Sequence, residues 1–407
     1  MVYYEIKKVF SKTSNKIAVL LILVLLGLMT GFAVHVEYVN EEGNKEYGIS
    51  AAHKLKEMKK EWAGQLTEER LKEAIAENAR IQATPEARSR DMQQKEVAYS
   101  QGQGLQDIRS MIANSYGGFQ EHDYYMIDYL KPEDAGSFYS NRTESLKEYL
   151  ASPEAEQFSE KEKQFLIEQY ADMEVPLKYD DFTGWYQATY NMSIIIMLMC
   201  LIFGFLLAGI FSNETKLKAD SIFFSAYHGR RKGVMAKLAA GLVIVTGIYW
   251  GVMLVYSAIV LGALGTDGAD CMIQISLGGW KSFYNITFLQ RYLLILFGGY
   301  LGTLFISLLT MLVSAKTKSA VISVMIPFIL LLIPSFLSGG NHHLLNQILA
   351  ALPDRLMELD AVVKTFSLVE IGGKVTGTLS ILFPVYTVLS VILCPVIYQV
   401  YRQAEVK

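Results

Sequence analysis

The sequence predicts an all-α polytopic membrane protein: six transmembrane helices, an N-terminal amphipathic surface helix, and a large, mainly helical extracellular domain between helices 1 and 2. Three observations carry this. The 407-residue chain is 52% hydrophobic yet 19% charged, too apolar for an ordinary soluble protein and too charged to lie in lipid throughout. The charges are segregated: residues 37–190 hold 30 acidic and 18 basic side chains, and the remainder holds 10 acidic and 19 basic. Outside that acidic region, apolar runs of membrane length recur. A hydrocarbon core roughly 30 Å thick takes about 20 helical residues, and every backbone amide inside it must be paired.

Residues 1–16 form the surface helix. Val2, Ile6, Val9 and Phe10 share one face and Lys7, Lys8 and Lys12 lie off it, so the helix is expected on the inner membrane surface. The first span is 17–36. Its apolar run of about 20 residues exceeds the usual signal-peptide core, so retention is expected rather than cleavage. Residues 37–190 read as helices with caps at Thr67 and at Ser159–Glu162, breaks at Gly102, Gly104, Gly117 and Gly118, and a solvated face over Lys54–Lys60. At that length the region can hold its own core. Residues 191–407 hold the remaining spans, at 193–211, 238–264, 292–314, 320–337 and 379–401. Pro327, Pro334, Pro384 and Pro395 mark kinks in the last two.

Lys and Arg orient the chain. Lys7, Lys8, Lys12 and Lys16, the loop 212–237 with Lys216, Lys218, Arg230, Arg231, Lys232 and Lys237, the turn with Lys316 and Lys318, and the tail with Arg402 and Lys407 fall on one side if there are six helices. That side is cytoplasmic, both termini included. The region 37–190 and the loops 265–290 and 338–378 are then extracellular, bordered by the aromatic residues Trp185, Tyr186, Tyr190, Trp280, Phe283 and Tyr284. The same count puts Cys271 outside, with Cys200 and Cys394 inside apolar runs. A bacterial plasma membrane is the expected location.

Chemistry-bearing motifs are missing. There is no G-x-x-x-x-G-K-[ST] phosphate loop, Gly372-Gly373-Lys374-Val375 lacking its spacing and hydroxyl, and no H-E-x-x-H, G-x-S-x-G or C-x-x-C. The chain is therefore not expected to be an enzyme or to hold a cofactor. His342-His343 reads as a loop pair rather than a metal site. The scarcity of charge within the spans speaks against a proton relay, and an outward acidic region speaks against nucleic acid. The loop 212–237 is the informative part, because Ile222, Phe223 and Phe224 stand outside the membrane between Lys218 and Arg230. Exposed apolar residues with a basic rim mark a contact site.

In this layout the chain resembles permeases of the ABC-2 class of ABC exporters, over nearly its whole length. In that family the inner loop carries a coupling helix that docks on the ATP-binding subunit. Its pattern is a Glu leaving the second span, a Gly-Thr four residues later, a Leu-Leu pair, a Pro, a basic residue and a Lys opening the third span. Laid on this chain without a gap, these fall on Glu214, Lys218-Ala219, Phe223-Phe224, Tyr227, Arg230 and Lys237, so the Gly-Thr and the Pro are not kept. The resemblance implies that Glu214, Ile222, Phe223, Phe224, Tyr227, Arg230 and Lys237 contact the ATPase subunit. It also implies partners: a cytoplasmic ABC ATPase dimer that supplies ATP and Mg, a second permease chain in a homo- or heterodimer, and membrane lipid. The implied function is export of lipophilic or amphipathic cargo, such as a peptide antibiotic or a lipid, with the loop 338–378 closing the exit. The rival expectation is a sensor whose extracellular domain binds a peptide or envelope component.

Overall fold

The structure is a computed structural model that describes residues 1–120, 122–337 and 342–404; Lys407 and the start of the 338–378 loop lie outside the described residues. Helix α1 (Val2–Ser11) is followed, after an extended Lys12, by α2 (Thr13–Ala33). Short helices build the next region: α3 (Ile49–Lys60), α4 (Glu68–Gln82), α5 (Pro85–Arg88), α6 (Met92–Gly102), α7 (Gln106–Tyr116), α8 (Phe138–Ala151) and α9 (Glu160–Ala171). Next, α10 (Thr183–Tyr190) and α11 (Met192–Leu207) run on as one apolar rod. After α12 (Asn213–Lys216), α13 (Asp220–Ser225) and a π-helical turn (Gly229–Gly233) come α14 (Val234–Leu264), α15 (Phe288–Thr317), α16 (Ala320–Leu332), α17 (His343–Ala350), α18 (Leu359–Lys364) and α19 (Leu379–Arg402).

The chain is not wholly helical. Among the described residues, three antiparallel two-stranded ribbons pair β1 (Glu37–Val39) with β2 (Lys45–Tyr47), β3 (Gly64–Gln65) with β4 (Lys178–Tyr179), and β5 (Leu368–Ile371) with β6 (Lys374–Gly377). The β3–β4 ribbon ties residue 64 to residue 179, so the region between the first two long apolar helices closes on itself. Gly372 and Gly373, both at positive φ, make the two-residue turn of the last hairpin, a conformation that glycine adopts without a Cβ clash.

Among the described residues, five helices are long and apolar enough to cross a membrane: Thr13–Ala33, Thr183–Leu207, Gly229–Leu264, Phe288–Thr317 and Leu379–Arg402. The expected span at 320–337 yields only the 13-residue α16, which ends at Leu332, and a 3-10 turn opens with Pro334, which has no N–H with which to continue the α-helical ladder. Apolar side chains face outward from the bundle, among them Leu20 and Val24 on α2, Val321 and Met325 on α16, and Val388 and Val391 on α19, as lipid-facing surfaces do and water-facing ones rarely do. At the centre α15 packs on α11, α14, α16 and α19. Gly204 lets α11 approach α16, since a Cβ there would sit 2.3 Å from Cγ of Pro327.

The caps at Thr67 and at Ser159–Glu162 form as the spacing predicts, and Gly102 and Gly117 stand at the ends of α6 and α7. Other expectations fail for one reason: the segments 37–182, 265–287 and 342–378 pack on one another. The buried side chains of residues 37–190 are continuous with those of the bundle, Leu71, Ile75 and Ile108 joining Met192, Tyr249 and Phe305 in one cluster. The Lys54–Lys60 face is not fully solvated. Lys59 is buried, its charge matched by Asp107 at 2.8 Å and Asp181 at 3.6 Å, and burial of a lysine requires such partners. Trp185, Trp280 and Phe283 are buried within the protein. Trp185 donates Nε1 to the carbonyl of Thr266, and Arg142, itself buried, donates to the carbonyls of Trp280 and Ser282. His343 meets Glu162 at 2.9 Å, and no group of metal-ligating residues occurs among the described residues.

Cys271 is buried in this packing. Burial, with the nearby Asp270 charge, pushes its thiol up to about 12, so little thiolate exists at neutral pH. A maleimide at pH 7 is therefore expected to leave Cys271 unmodified in the folded protein and to label it after denaturation. Mass spectrometry of the modified peptide checks this, and stoichiometric labelling of the native chain would refute the packing described here.

Candidate functional site

At the end of the bundle opposite residues 37–182, α1, the loop 208–233 and the end of α19 meet. Lys237, in the first turn of α14, is 1% exposed. Its ammonium donates to Oε1 of Glu214 at 2.7 Å, to Oε2 of Glu5 at 3.1 Å and to the carbonyl of Ile210 at 2.9 Å. Lys8 closes the circuit, meeting Glu5 at 2.8 Å and Glu214 at 3.5 Å. Three donors on an ammonium ion and three acceptors around it satisfy the group completely. Burial alone would raise the Glu5 carboxyl, but Lys237 and Lys8 outweigh it and hold the group below its ordinary value of 4.5. The two residues bracketing the loop, Glu214 and Lys237, thus pair with each other inside the chain instead of facing outward.

The phenylalanine pair is likewise turned inward. Phe224 is 6% exposed and packs on Tyr401 with ring centroids 5.2 Å apart, under the Arg230 guanidinium at 4.8 Å. Phe223 is half-buried between Tyr401 and the Lys237 ammonium. Arg230 donates from Nη1 to the carbonyl of Arg402 at 2.8 Å, a favourable partner for the unpaired carbonyls and negative end of α19. Two glycines make room. A Cβ on Gly229 would fall 1.8 Å from the carbonyl oxygen of Phe223, and one on Gly233 would meet its ring at 2.9 Å. The expectation that Phe223 and Phe224 form an exposed anchor is therefore corrected: they fasten the loop to α19.

The outward surface of the loop is carried by other side chains. Ile222 is 72% exposed, Tyr227 is 95% exposed and Leu217, beside the left-handed Lys218, is 75% exposed; Arg231 and Lys232 are exposed beside them. Of the expected contact residues, Ile222 and Tyr227 point away from the bundle, Glu214 and Lys237 sit in the ion cluster, and Phe223, Phe224 and Arg230 grip the α19 terminus. Sequence reasoning missed Glu5, Lys8, Tyr401 and Leu217. The Glu5–Lys8 spacing of three was legible as a helical pair, but its pairing with Lys237, 232 residues away, was not.

No protein-family model matches this chain, and neither a curated protein nor a solved structure matches it.

Replacing Lys237 with Met leaves the buried Glu214 and the partly buried Glu5 with only the exposed Lys8 as a cation. Breaking a buried pair from one side commonly costs about 3 kcal/mol or more. Unfolding of the purified protein in detergent should register this loss, and Glu214→Gln placed on top of Lys237→Met should recover part of it. Equal stability of wild type and Lys237→Met would remove the cluster as a structural element.

The Glu5 contribution also has a defined pH sense. A carboxyl lowered by folding stabilises above its unfolded value of 4.5 and loses that contribution as pH falls through the lower folded value. The difference in melting temperature between wild type and Glu5→Gln should therefore be largest near pH 7 and shrink below about pH 4.5. A difference that stays constant between pH 7 and pH 3 contradicts the assignment.

Proposed function

We propose that this chain is the membrane-spanning permease subunit of an ATP-driven exporter of the ABC-2 class, working with a separate ATPase dimer that binds ATP and Mg and with a second permease chain. The observation that carries the reading is the division of labour in the loop between α11 and α14. Its base is fastened to α1, α14 and α19 by ions and rings, while Leu217, Ile222 and Tyr227 project from it within a basic rim. A rigid base under an exposed apolar tip is what a part must have to receive a push from a partner and pass it to the spans. Without the base the push would be spent bending the loop.

The reading places the Lys- and Arg-rich end in the cytoplasm and the region built from 37–182, 265–287 and 342–378 outside. It needs six crossings, the sixth being α16 with its 3-10 extension. Support comes from the two ends of that segment: Ala320 borders the same cavity as Ser11 and Lys216, whereas Leu337 borders a cavity with Phe158 and His343. Cargo of lipophilic or amphipathic character fits a bundle with few charges. Transport follows if that cargo binds the inward- and outward-open states with different affinity.

The test is the substitution of Leu217, Ile222 and Tyr227 by Ala, read by co-purification with a co-expressed ABC ATPase subunit and by ATP turnover of the complex. Loss of apolar anchors at an interface commonly costs about 2 kcal/mol or more, so binding should weaken by roughly thirtyfold, with the melting temperature of the chain unchanged. Unaltered association and turnover would overturn the proposal. Phe224→Ala is expected to behave differently, lowering the stability of the chain itself because that ring is buried.

A further inference from the structure

Between α1, the start of α2, α11 and α16 lies a cavity of about 740 Å³. Its lining combines two kinds of side chain: Lys12, Lys216 and Ser14, from α12 and the junction of α1 with α2, are basic or polar, and Phe205 on α11 with Ala320 and Val324 on α16 are apolar. Phe205 is exposed on the outer surface of α11, so the apolar wall continues onto the surface that faces lipid. Glu214 also borders the cavity, but its charge is already matched by Lys237 and Lys8. Lys12 donates to the side-chain oxygen of Asn213 at 2.7 Å, and neither Lys12 nor Lys216 forms an ion pair among the described residues. Burial, together with the like charges of Lys216 and Lys237, lowers Lys12 from its ordinary value against the weaker opposing pull of Glu214. The cavity wall thus holds positive charge that the chain does not neutralise. Helix α2, 21 residues long, opens into this region with no side chain capping its first turn, which leaves amide groups and the positive end of the helix toward the same space.

We propose that this cavity binds one anionic phospholipid, with its phosphate between Lys12 and Lys216 at the start of α2 and an acyl chain along Phe205, Ala320 and Val324. The chemistry is that of an amphiphile. Basic groups at the level of the helix ends attract a phosphodiester, the N–H groups of a helix start donate to its oxygens, and the apolar wall takes the tail. A zwitterionic lipid lacks the net charge that the two lysines demand, and inorganic phosphate lacks the tail. The inference stands apart from the exporter reading, since it needs no ATPase and no cargo.

The full chain, purified in detergent, is titrated with phosphatidylglycerol, phosphatidylcholine or inorganic phosphate and examined by native mass spectrometry. One phosphatidylglycerol should be retained per chain. Lys12→Gln with Lys216→Gln should weaken its retention by roughly tenfold or more, each lysine near a headgroup supplying a comparable share. Val324→Gln, on the tail wall, should weaken it independently. Lys7→Gln, which does not border the cavity, should leave it unchanged. Equal retention of phosphatidylcholine, or equal retention of phosphatidylglycerol by wild type and both cavity variants, overturns the site. Displacement of phosphatidylglycerol by millimolar inorganic phosphate alone would make it a site for a free anion, and that too overturns the lipid assignment.

Discussion

A lysine ammonium cannot be taken out of water without partners that replace its hydration, and Lys237 is buried at the first turn of the longest helix in the bundle. The need to surround that one charge sets much of the geometry around it. Glu214 must fold back from the end of α11, so the intervening loop closes into a compact hairpin rather than extending. Glu5 must arrive from the other side, so α1 docks on α14 instead of floating free on the bilayer. The carbonyl of Ile210 completes the shell and fixes where α11 gives way to the loop. With its base held in this way, the loop can turn Phe223 and Phe224 onto Tyr401 and leave Leu217, Ile222 and Tyr227 outside.

The same device recurs at the opposite end. Arg291, in the first turn of α15, is buried and meets Asp360 through Nε at 2.7 Å, and Lys364 joins the same carboxylate at 2.6 Å. Lys59 and Arg142 are buried within residues 37–182 on acids and carbonyls from distant segments. Lys237, Arg291, Lys59 and Arg142 each join pieces of chain that are remote in sequence. Apolar packing in lipid discriminates poorly between one helix neighbour and another, because the tails are as apolar as the side chains. A buried cation discriminates strongly, since the wrong neighbour leaves it unpaired.

What the sequence disclosed and what it concealed divide along that line. The apolar runs of 17–36, 238–264, 292–314 and 379–401 were visible because length and hydropathy are local properties, and the observed helices match them within a few residues. The caps at Thr67 and Ser159 were visible for the same reason. Burial of Lys59, Trp280 and Cys271 was not, because it is created by chain that returns from elsewhere; a run of lysines on α3 looks solvated until Asp107 and Asp181 are brought to it. At the candidate site Glu214 and Lys237 were noticed as endpoints of a loop, yet nothing local says that they pair. Phe223 and Phe224 looked like an exposed patch because the ring that covers them, Tyr401, lies far along the chain.

The single buried cluster that runs from Ile108 through Phe182 and Trp185 to Tyr249 and Phe305 has a mechanical consequence. Two bodies joined by a flexible neck can tilt independently, so a displacement of one is lost in the neck. Here there is no neck: Phe182 stacks on Phe288 at 4.6 Å, and close-packed interiors resist compression. Residues 37–182 and the helices they pack on should therefore bear a load as one body, with the rings around Phe182 at the junction. Excising residues 37–182 would then leave a bundle with bare apolar surface where the two parts had met.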